Sequence, residues 1–506
     1  LKSILLEETP WVMEAKSEEQ QKKNIALLFD MVKMSSELNS SIEKLKQMQS
    51  SNGGFVWFKG GPDDRYITQY IVTGIGHLKK IKAIGEGQNE KLKGIVIAAI
   101  PYLDKKIKED YDDLIKHKTD LKKYAPGYSD IQYLYMRSFF PEYPIQKASQ
   151  TAYSYFRKQI QSYWVNQGKY MQGMIALALS RTGDTKTATN ILKSLRETSI
   201  TNDESGMHWE NEKAGWFWYQ APIETQALLI EAFTEVKTQN FASQQKSVDD
   251  MKIWLLKNKQ TNNWHTTKAT AEACYALLLQ GSQLLSNEPA VEIKLGNTIV
   301  SNNASPSEAG TGYFKETIDG NKIDPMMGNI SVAVTSNQQL TTGNLSWGAV
   351  YWQYFEELDK ITTSATPLKL VKKLFVEKNT DRGPVLNPVN ENDELRVGDK
   401  IKVRIELRVD RDMEYVHMKD MRASCLEPVN VLSQYKWQDG LGYYESTKDA
   451  STNFFFSNLR KGTYVFEYPL FVTHAGNFSN GITSIQCMYA PEFTSHSEGI
   501  RISVAE

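Results

Sequence analysis

The residues able to bind metal or attack a carbonyl are few and poorly spaced for either task. The seven histidines are His77, His117, His208, His265, His417, His474 and His496. No two stand as H-x-x-x-H or H-E-x-x-H, and no cysteines stand as C-x-x-C, so zinc-binding spacings are missing. A nucleophile elbow, a phosphate loop and a dinucleotide fingerprint are missing too. Asp110-Tyr111-Asp112-Asp113 is a D-x-D-D string, which supplies a proton in terpene-type cyclases. Such an acid needs apolar neighbours to raise its pKa. This one lies between Lys105, Lys106, Lys108 and Lys116, Lys118, which predicts a solvated face of mixed charge. Glu204, Glu210 and Glu212 flank Trp209, and Asp63-Asp64 follow Trp57. Acids beside aromatics suit a glycosidase, which needs two carboxylates about 5 or 9 Å apart. Sequence does not give that separation. Cys274 falls in an apolar helical pattern and reads as a small core residue. Cys425 and Cys487 share the C-terminal stretch, and spacing leaves open whether they are bridged.

The elements that must position these residues change in kind along the chain. The 506 residues are 41% hydrophobic and 24% charged, ordinary for a multidomain globular protein. The net charge of −1 provides no basic excess for nucleic acid. No apolar run is long enough to span a membrane. The chain opens at Leu1 without Met, which reads as a piece of something longer. Up to about residue 285 the apolar spacing is helical, as in Ala271-Glu272-Ala273-Cys274-Tyr275-Ala276-Leu277-Leu278. Beyond it, Val291–Leu295, Ile401–Leu407 and Ile500–Val504 alternate as half-buried strands do. Ile361-Thr362-Thr363-Ser364-Ala365-Thr366-Pro367 suits a linker. The expected domains are 1–287, 288–363 and 364–506.

The helical part carries an internal repeat. Asn52-Gly53-Gly54-Phe55-Val56-Trp57 leads into Thr68-Gln69-Tyr70, and Gly206-Met207-His208-Trp209 into Glu224-Thr225-Gln226. Asn262-Asn263-Trp264-His265 leads into Thr267-Lys268-Ala269-Thr270. Each is a loop with a tryptophan, then a threonine near a helix start. We expect the threonine to cap the helix and the tryptophan to pack over its end. Repeated helical hairpins predict a closed α/α toroid. The fold class is therefore multidomain α and β: an α/α toroid, a small β module and a C-terminal antiparallel β-sandwich. These residues alone favour a binding or structural role over an enzyme.

Several motifs resemble the bacterial branch of the alpha-2-macroglobulin family. In the C-terminal third they are Gly398-Asp399-Lys400, Met418-Lys419-Asp420, Glu427-Pro428-Val429-Asn430, Lys461-Gly462-Thr463-Tyr464 and Glu467-Tyr468. Gly476-Asn477-Phe478 and Met488-Tyr489-Ala490-Pro491-Glu492 follow, and this third is similar to the family's receptor-binding-like domain. Gly53-Gly54-Phe55-Val56-Trp57 and Asn263-Trp264-His265-Thr266-Thr267 resemble themes of its thioester domain. The stretch ending in Gly348-Ala349-Val350-Tyr351-Trp352-Gln353-Tyr354 looks like the CUB-like strands that follow that domain.

The family's chemistry lies in C-x-E-Q, whose Cys and Gln form an internal thioester. Here the matching stretch is Leu5-Leu6-Glu7-Glu8. Leu5 replaces the sulfur and Glu8 replaces the glutamine, so the resemblance implies a lost thioester and no covalent capture. It implies no enzyme activity and no cofactor or metal. It implies an endopeptidase inhibitor whose partners are proteases, met through an upstream bait region, and upstream macroglobulin domains of the same protein. It further implies an extracytoplasmic place: periplasmic, or anchored at the outer membrane or cell surface as a lipoprotein. Tyr444 and Tyr489 are expected to be aromatics that shield the degenerate motif. Two other readings stand beside it: a non-inhibitory envelope assembly module, and a carbohydrate-active toroid enzyme using Glu204, Glu210 or Asp63.

Overall fold

The computed structural model describes residues 31–202, 205–209, 221–236, 241–262, 264, 266–279, 290–301, 314–335, 350–364, 366, 368–390, 393–438 and 440–506. Leu5, Leu6, Glu7, Glu8, Glu204, Glu210 and Glu212 lie outside them. The chain divides into two compact units. One holds the described residues of Glu14–Leu256 and Trp264–Ser346, the other those of Lys257–Asn263 and Trp347–Glu506.

The first unit is built from helices α1 (Met31–Gln47), α2 (Arg65–Lys80), α3 (Glu86–Lys116), α4 (Tyr128–Arg137) and α5 (Gln150–Tyr163). They continue with α6 (Lys169–Arg181), α7 (Thr185–Glu197), α8 (Pro222–Glu235), α9 (Phe241–Thr261) and α10 (Thr267–Leu278). The even-numbered helices pack in succession, α2 on α4, α4 on α6, α6 on α8 and α8 on α10. Odd-numbered helices cover them, α3 on α2, α5 on α4 and α7 on α6. The sequence dictates this division. Residues Gly173 to Leu179 of α6 and Ile223 to Phe233 of α8 are all buried, as an inner helix requires. Outer α5 buries only Ala152, Phe156 and Ile160, and outer α7 only Ala188, Ile191, Leu192 and Leu195. Each is a single stripe. Side chains of α2 and α10 also meet, since His77 stacks on Tyr275. Among the described helices the inner ring is closed.

The loop repeat is real, but its capping chemistry differs from expectation. Strands β1 (Phe55–Val56) and β2 (Asp63–Asp64) form a hairpin before α2, and β3 (Ile200–Asn202) and β4 (Gly206–His208) form one before α8. Thr68, Thr225 and Thr270 occupy the same fourth position of α2, α8 and α10. Each hydroxyl donates back to the carbonyl four residues earlier, on Asp64 (2.7 Å), Ala221 (2.8 Å) and Thr266 (3.2 Å). The N-caps are Asp64, Ala221 and Thr266, so a threonine caps only α10. Thr68 also accepts from the Phe55 amide at 2.8 Å, which ties the hairpin to its helix. Trp209 and Trp264 are buried as expected, whereas Trp57 is 54% exposed. Strands β5 (Ala290–Leu295), β6 (Thr298–Ser301) and β7 (Ile330–Thr335) make an antiparallel sheet, order β6-β5-β7.

The second unit is a sandwich. Strands β8 (Leu368–Thr380), β9 (Gly383–Pro388), β11 (Lys400–Val409), β13 (Leu426–Pro428) and β17 (Gly462–Val472) form one sheet, order β13-β17-β11-β8-β9. Strands β12 (Met413–Met421), β14 (Gln434–Gln438), β15 (Leu441–Lys448), β16 (Ser451–Leu459), β19 (Thr483–Cys487) and β20 (Thr494–His496) form the facing one, order β14-β15-β16-β12-β19-β20. A third pairs β10 (Glu394–Arg396), β21 (Arg501–Ala505) and β18 (Gly476–Ser479). Ile401, Val403, Ile405 and Leu407 of β11 face inward, as their alternation predicts. Phe454 of one sheet meets Phe466 of the other, 5.5 Å between ring centroids. The linker stretch is pinned at Ser364, which exchanges backbone bonds with His496. Val350 to Glu357 forms no helix or strand, and Phe355 is fully exposed.

Candidate functional site

Because the inner helices run parallel, residues near their C-terminal ends meet on the axis of the helical unit. His77 comes from α2, Tyr135 from α4, Arg181 from α6, Glu231 and Glu235 from α8, and Glu272 and Tyr275 from α10. Glu231 is 1% exposed and sits at the centre. It accepts from Arg181 Nη2 at 2.6 Å and from Tyr275 at 2.6 Å, and also from Tyr135. Burial works against its charge, but Arg181, His77 and Lys80 outweigh burial and hold its pKa below the usual range.

Proton bookkeeping then fixes the histidine. The single Tyr135 proton goes to Glu231, so His77 Nε2 carries hydrogen and donates to Tyr135 Oη at 2.9 Å. His77 Nδ1 is left as an acceptor, 3.7 Å from Glu272 Oε2. Burial, with help from Arg181 and Lys80, pushes His77 down to about 4. Burial likewise pushes Glu272 up to about 7, with Glu231 and Glu224 adding to it and Lys268 opposing. The cluster ties the five described inner helices together. Nothing in it is a nucleophile facing an open site, so its chemistry is that of a closure.

The N-terminal ends of the same helices differ. Tyr66, Tyr128 and Tyr170 form an arc, with ring centroids 6.4 Å apart at each step. Glu224 and Lys268 stand at the starts of α8 and α10, and Lys268 Nζ lies 5.6 Å from the Tyr70 and Tyr170 rings. Trp57 extends the arc by stacking on Tyr66 at 5.9 Å. Beside Tyr128 opens a cleft of about 410 Å³ lined by Arg65, Asp110, Asp113, Tyr124 and Asp130. Arg65 binds Gln69 through Nε at 2.8 Å and Asp110 through Nη1. Asp130 accepts from the Gly127 amide at 3.1 Å and from Tyr124 at 3.2 Å. Burial pushes Asp130 up to about 6, assisted by Asp110 and opposed by Arg65.

Several sequence expectations need correction. Asp112 and Asp113 lie on a solvated face as expected, with Asp112 paired to Lys108. Asp110 instead turns to Arg65 at the cleft edge. Asp63 is taken up by its own hairpin, accepting from Ser50 and Asn52, and is no free carboxylate. Cys274 is exposed, because it falls on the outward side of α10. Cys425 and Cys487 are buried free thiols.

In the sandwich, Tyr489 is 62% exposed in the turn after β19. It stands edge-on to Tyr415 at 5.3 Å, and the Met488 amide donates to the Tyr415 carbonyl at 2.9 Å. Tyr415 adopts φ +55°, a conformation unusual for a bulky residue. Tyr444 packs on its sheet between Tyr435 and Phe455. Beneath them, Lys372 and Asp420 form an ion pair sealed inside the sandwich. Sequence reasoning missed this pair and the axial cluster. For the pair the signal is a charged residue in the inward register of each strand.

The motifs and the sandwich geometry converge with one comparison. Residues 368–492 match the family model of the bacterial alpha-2-macroglobulin MG10 domain. Through this C-terminal part the chain is related to the bacterial alpha-2-macroglobulins. No curated protein matches it. Among solved structures, a mutant of Salmonella alpha-2-macroglobulin aligns at 12% identity and TM-score 0.33, covering 97% of this chain and 28% of its own. Trypsin-activated alpha-2-macroglobulin from Escherichia coli aligns at 12% and 0.38, covering 92% and 29%. Native Escherichia coli alpha-2-macroglobulin from domain MG7 to the C-terminus aligns at 13% and 0.30, covering 97% and 69%. The chain thus spans under a third of the first two.

Proposed function

We propose that the chain is the C-terminal part of a bacterial alpha-2-macroglobulin-like protein that has lost its thioester and inhibits proteases by enclosing them without a covalent bond. The observation that carries this reading is the MG10 match over residues 368–492. The toroid of the first unit is the thioester-domain equivalent, and 288–363 and 364–506 are the CUB-like and receptor-binding-like parts. Leu5 has no sulfur and Glu8 has no amide to lose, so no acyl bond forms between these positions. The protein is an inhibitor and no enzyme. It acts outside the cytoplasm, in the periplasm or held at the envelope as a lipoprotein, with upstream macroglobulin domains and a bait segment. Among the described residues no helix is long and apolar enough to cross a membrane. Tyr489, presented outward, and Tyr444 are the aromatics that cover the Leu5–Glu8 stretch.

The test is to incubate the full-length protein with several unrelated proteases and run native and denaturing gels. A native band that shifts after a single upstream cut, with no protease linked to the chain under denaturing conditions, supports the reading. A denaturant-resistant link contradicts the lost thioester. Cuts scattered along the chain without a shift contradict enclosure.

A further inference from the structure

We propose that strand β14 is the surface through which two copies of this chain pair, each continuing the other's six-stranded sheet. A sheet edge turns the N–H and C=O of every second residue outward. Proteins that stay apart blunt such edges with proline, charge or a covering segment. Three of the four edges of the two facing sheets are blunted in this way. β9 carries Pro384 and Pro388, and β13 is three residues long and ends in Pro428. β20 is covered where Ser364 exchanges backbone bonds with His496. β14 is the fourth edge. Its residues Gln434-Tyr435-Lys436-Trp437-Gln438 include no proline, and among the described residues its backbone pairs with β15 alone. Its single charge is no guard, because Lys436 is drawn to the buried Glu445 at 2.7 Å.

The other side of the strand is aromatic and open. Tyr435 is 72% exposed and Trp437 80%, and Leu432 just before them is 78% exposed. Both rings are already placed. Tyr435 stands edge-on to Tyr444 at 5.0 Å, and the indole of Trp437 lies across Gly442, 3.1 Å from where a Cβ would stand. Docking on them therefore costs little side-chain freedom. The strand is also complementary to itself. Antiparallel pairing centred on Tyr435 sets that residue against its own copy, Gln434 against Lys436, Ser433 against Trp437 and Leu432 against Gln438. No like charges oppose, and each Trp437 falls diagonal to the other copy's Tyr435, within reach of an aromatic ring. The open aromatic side carries no charge that would select a charged foreign segment, and at a net charge of −1 two copies do not repel. Pairing would remove on the order of 1,000 Å² from water, where specific interfaces begin.

The experiment follows the mass of the full-length protein by sedimentation and light scattering across the micromolar range. A concentration-dependent dimer is expected. Trp437→Lys should weaken it at least about tenfold. The thermal midpoint should not move, because the indole lies at the surface. Val385→Lys, on the blunted β9 edge, should leave the dimer intact. Tyr435→Cys with Cys274→Ser, which removes an exposed thiol, should be joined to its copy by a short bismaleimide, and a peptide map should place the link at residue 435. A monomer throughout overturns the proposal and leaves the edge to a strand of another protein. A dimer that Trp437→Lys leaves unchanged, or that fails to link through residue 435, overturns it as well, since another surface then makes the pair. Protease assays do not enter, so its failure is separate from failure of the inhibitor reading.

Discussion

The imidazole of His77 and the phenol of Tyr275 lie face to face, 3.7 Å between centroids and 8° between planes. This contact joins the first and last of the described inner helices, α2 and α10, and so closes the ring that they build. Tyr275 also donates to Glu231 at 2.6 Å. Tyr275→Phe should cost about 1–2 kcal/mol, the loss of a bond to a buried charged acceptor. Tyr275→Ala should cost about 3–5 kcal/mol, because it adds a cavity. Denaturant midpoints of the helical far-UV signal measure both. Equal midpoints for the two variants would show that the stack contributes nothing.

The same seam predicts a pH dependence with two opposing parts. Glu272, raised to about 7, costs stability as pH climbs from about 4.5 to 7, because only the unfolded chain ionises freely there. His77, lowered to about 4, costs stability as pH falls from about 6.5 to 4, because only the unfolded chain takes up the proton. Each is worth at most ~3 kcal/mol. Between these limits they nearly cancel. Glu272→Gln should therefore leave a protein that weakens as pH falls below about 6.5. His77→Gln should leave one that weakens as pH rises above about 4.5. Urea midpoints between pH 4 and 7.5 decide, and two variants with the parent profile would refute the assignment.

Gly53 and Gly206 occupy equivalent turns of the first two repeats, at φ +92° and +73°. A Cβ at Gly53 would collide with the Ala98 carbonyl of α3, and one at Gly206 with the Asp250 carbonyl of α9. The requirement is both conformational and steric. Gly53→Ala should lower stability by about 2–3 kcal/mol, whereas Gly60→Ala, at φ +88° in open space, should cost about 1. Thermal midpoints of the pair separate strain from collision.

Lys372 Nζ lies 2.7 Å from Asp420 Oδ1 with both side chains fully buried. Lys372 also donates to the Met421 carbonyl at 2.6 Å, and Thr483 to Asp420 at 2.6 Å. Lys372→Met should cost about 3–5 kcal/mol by leaving the Asp420 charge unpaired. Lys372→Met with Asp420→Leu should recover most of it. Amide exchange in β8 and β12 reads the effect within the sandwich, and a silent single variant would contradict it.

Much of the architecture was legible because one physical signal dominated. β11 alternates so strictly that its inward face follows from Ile401, Val403, Ile405 and Leu407 alone. The helical spacing of the first 285 residues marked the helical part, but not which helices are inner, since α8 buries Glu224, Gln226 and Glu231 along with its apolar residues. The threonine theme marked helix entries, though not its hydrogen bonds: a hydroxyl that donates backward and one that caps have the same sequence. The axial cluster was not legible, because His77, Tyr135, Arg181, Glu231 and Glu272 come from five helices whose relative level is set only by packing. Lys372 did announce itself, a cation in the inward register of Leu368, Leu370 and Leu374. So did its partner Asp420, in the inward register of Val416 and Met418, but nothing in the sequence joins the two across the sheets. Asp110 misled because a lysine-rich neighbourhood hides a single residue turned toward Arg65.

The measurement that bears most directly on the inhibitor reading uses substrates of two sizes. A protease mixed with the full-length protein is assayed on a large protein substrate and on a small peptide. Enclosure without a covalent bond predicts that large-substrate cleavage falls several-fold while small-peptide cleavage persists. Full activity on both substrates would contradict it, and would favour a role for this chain as an assembly module.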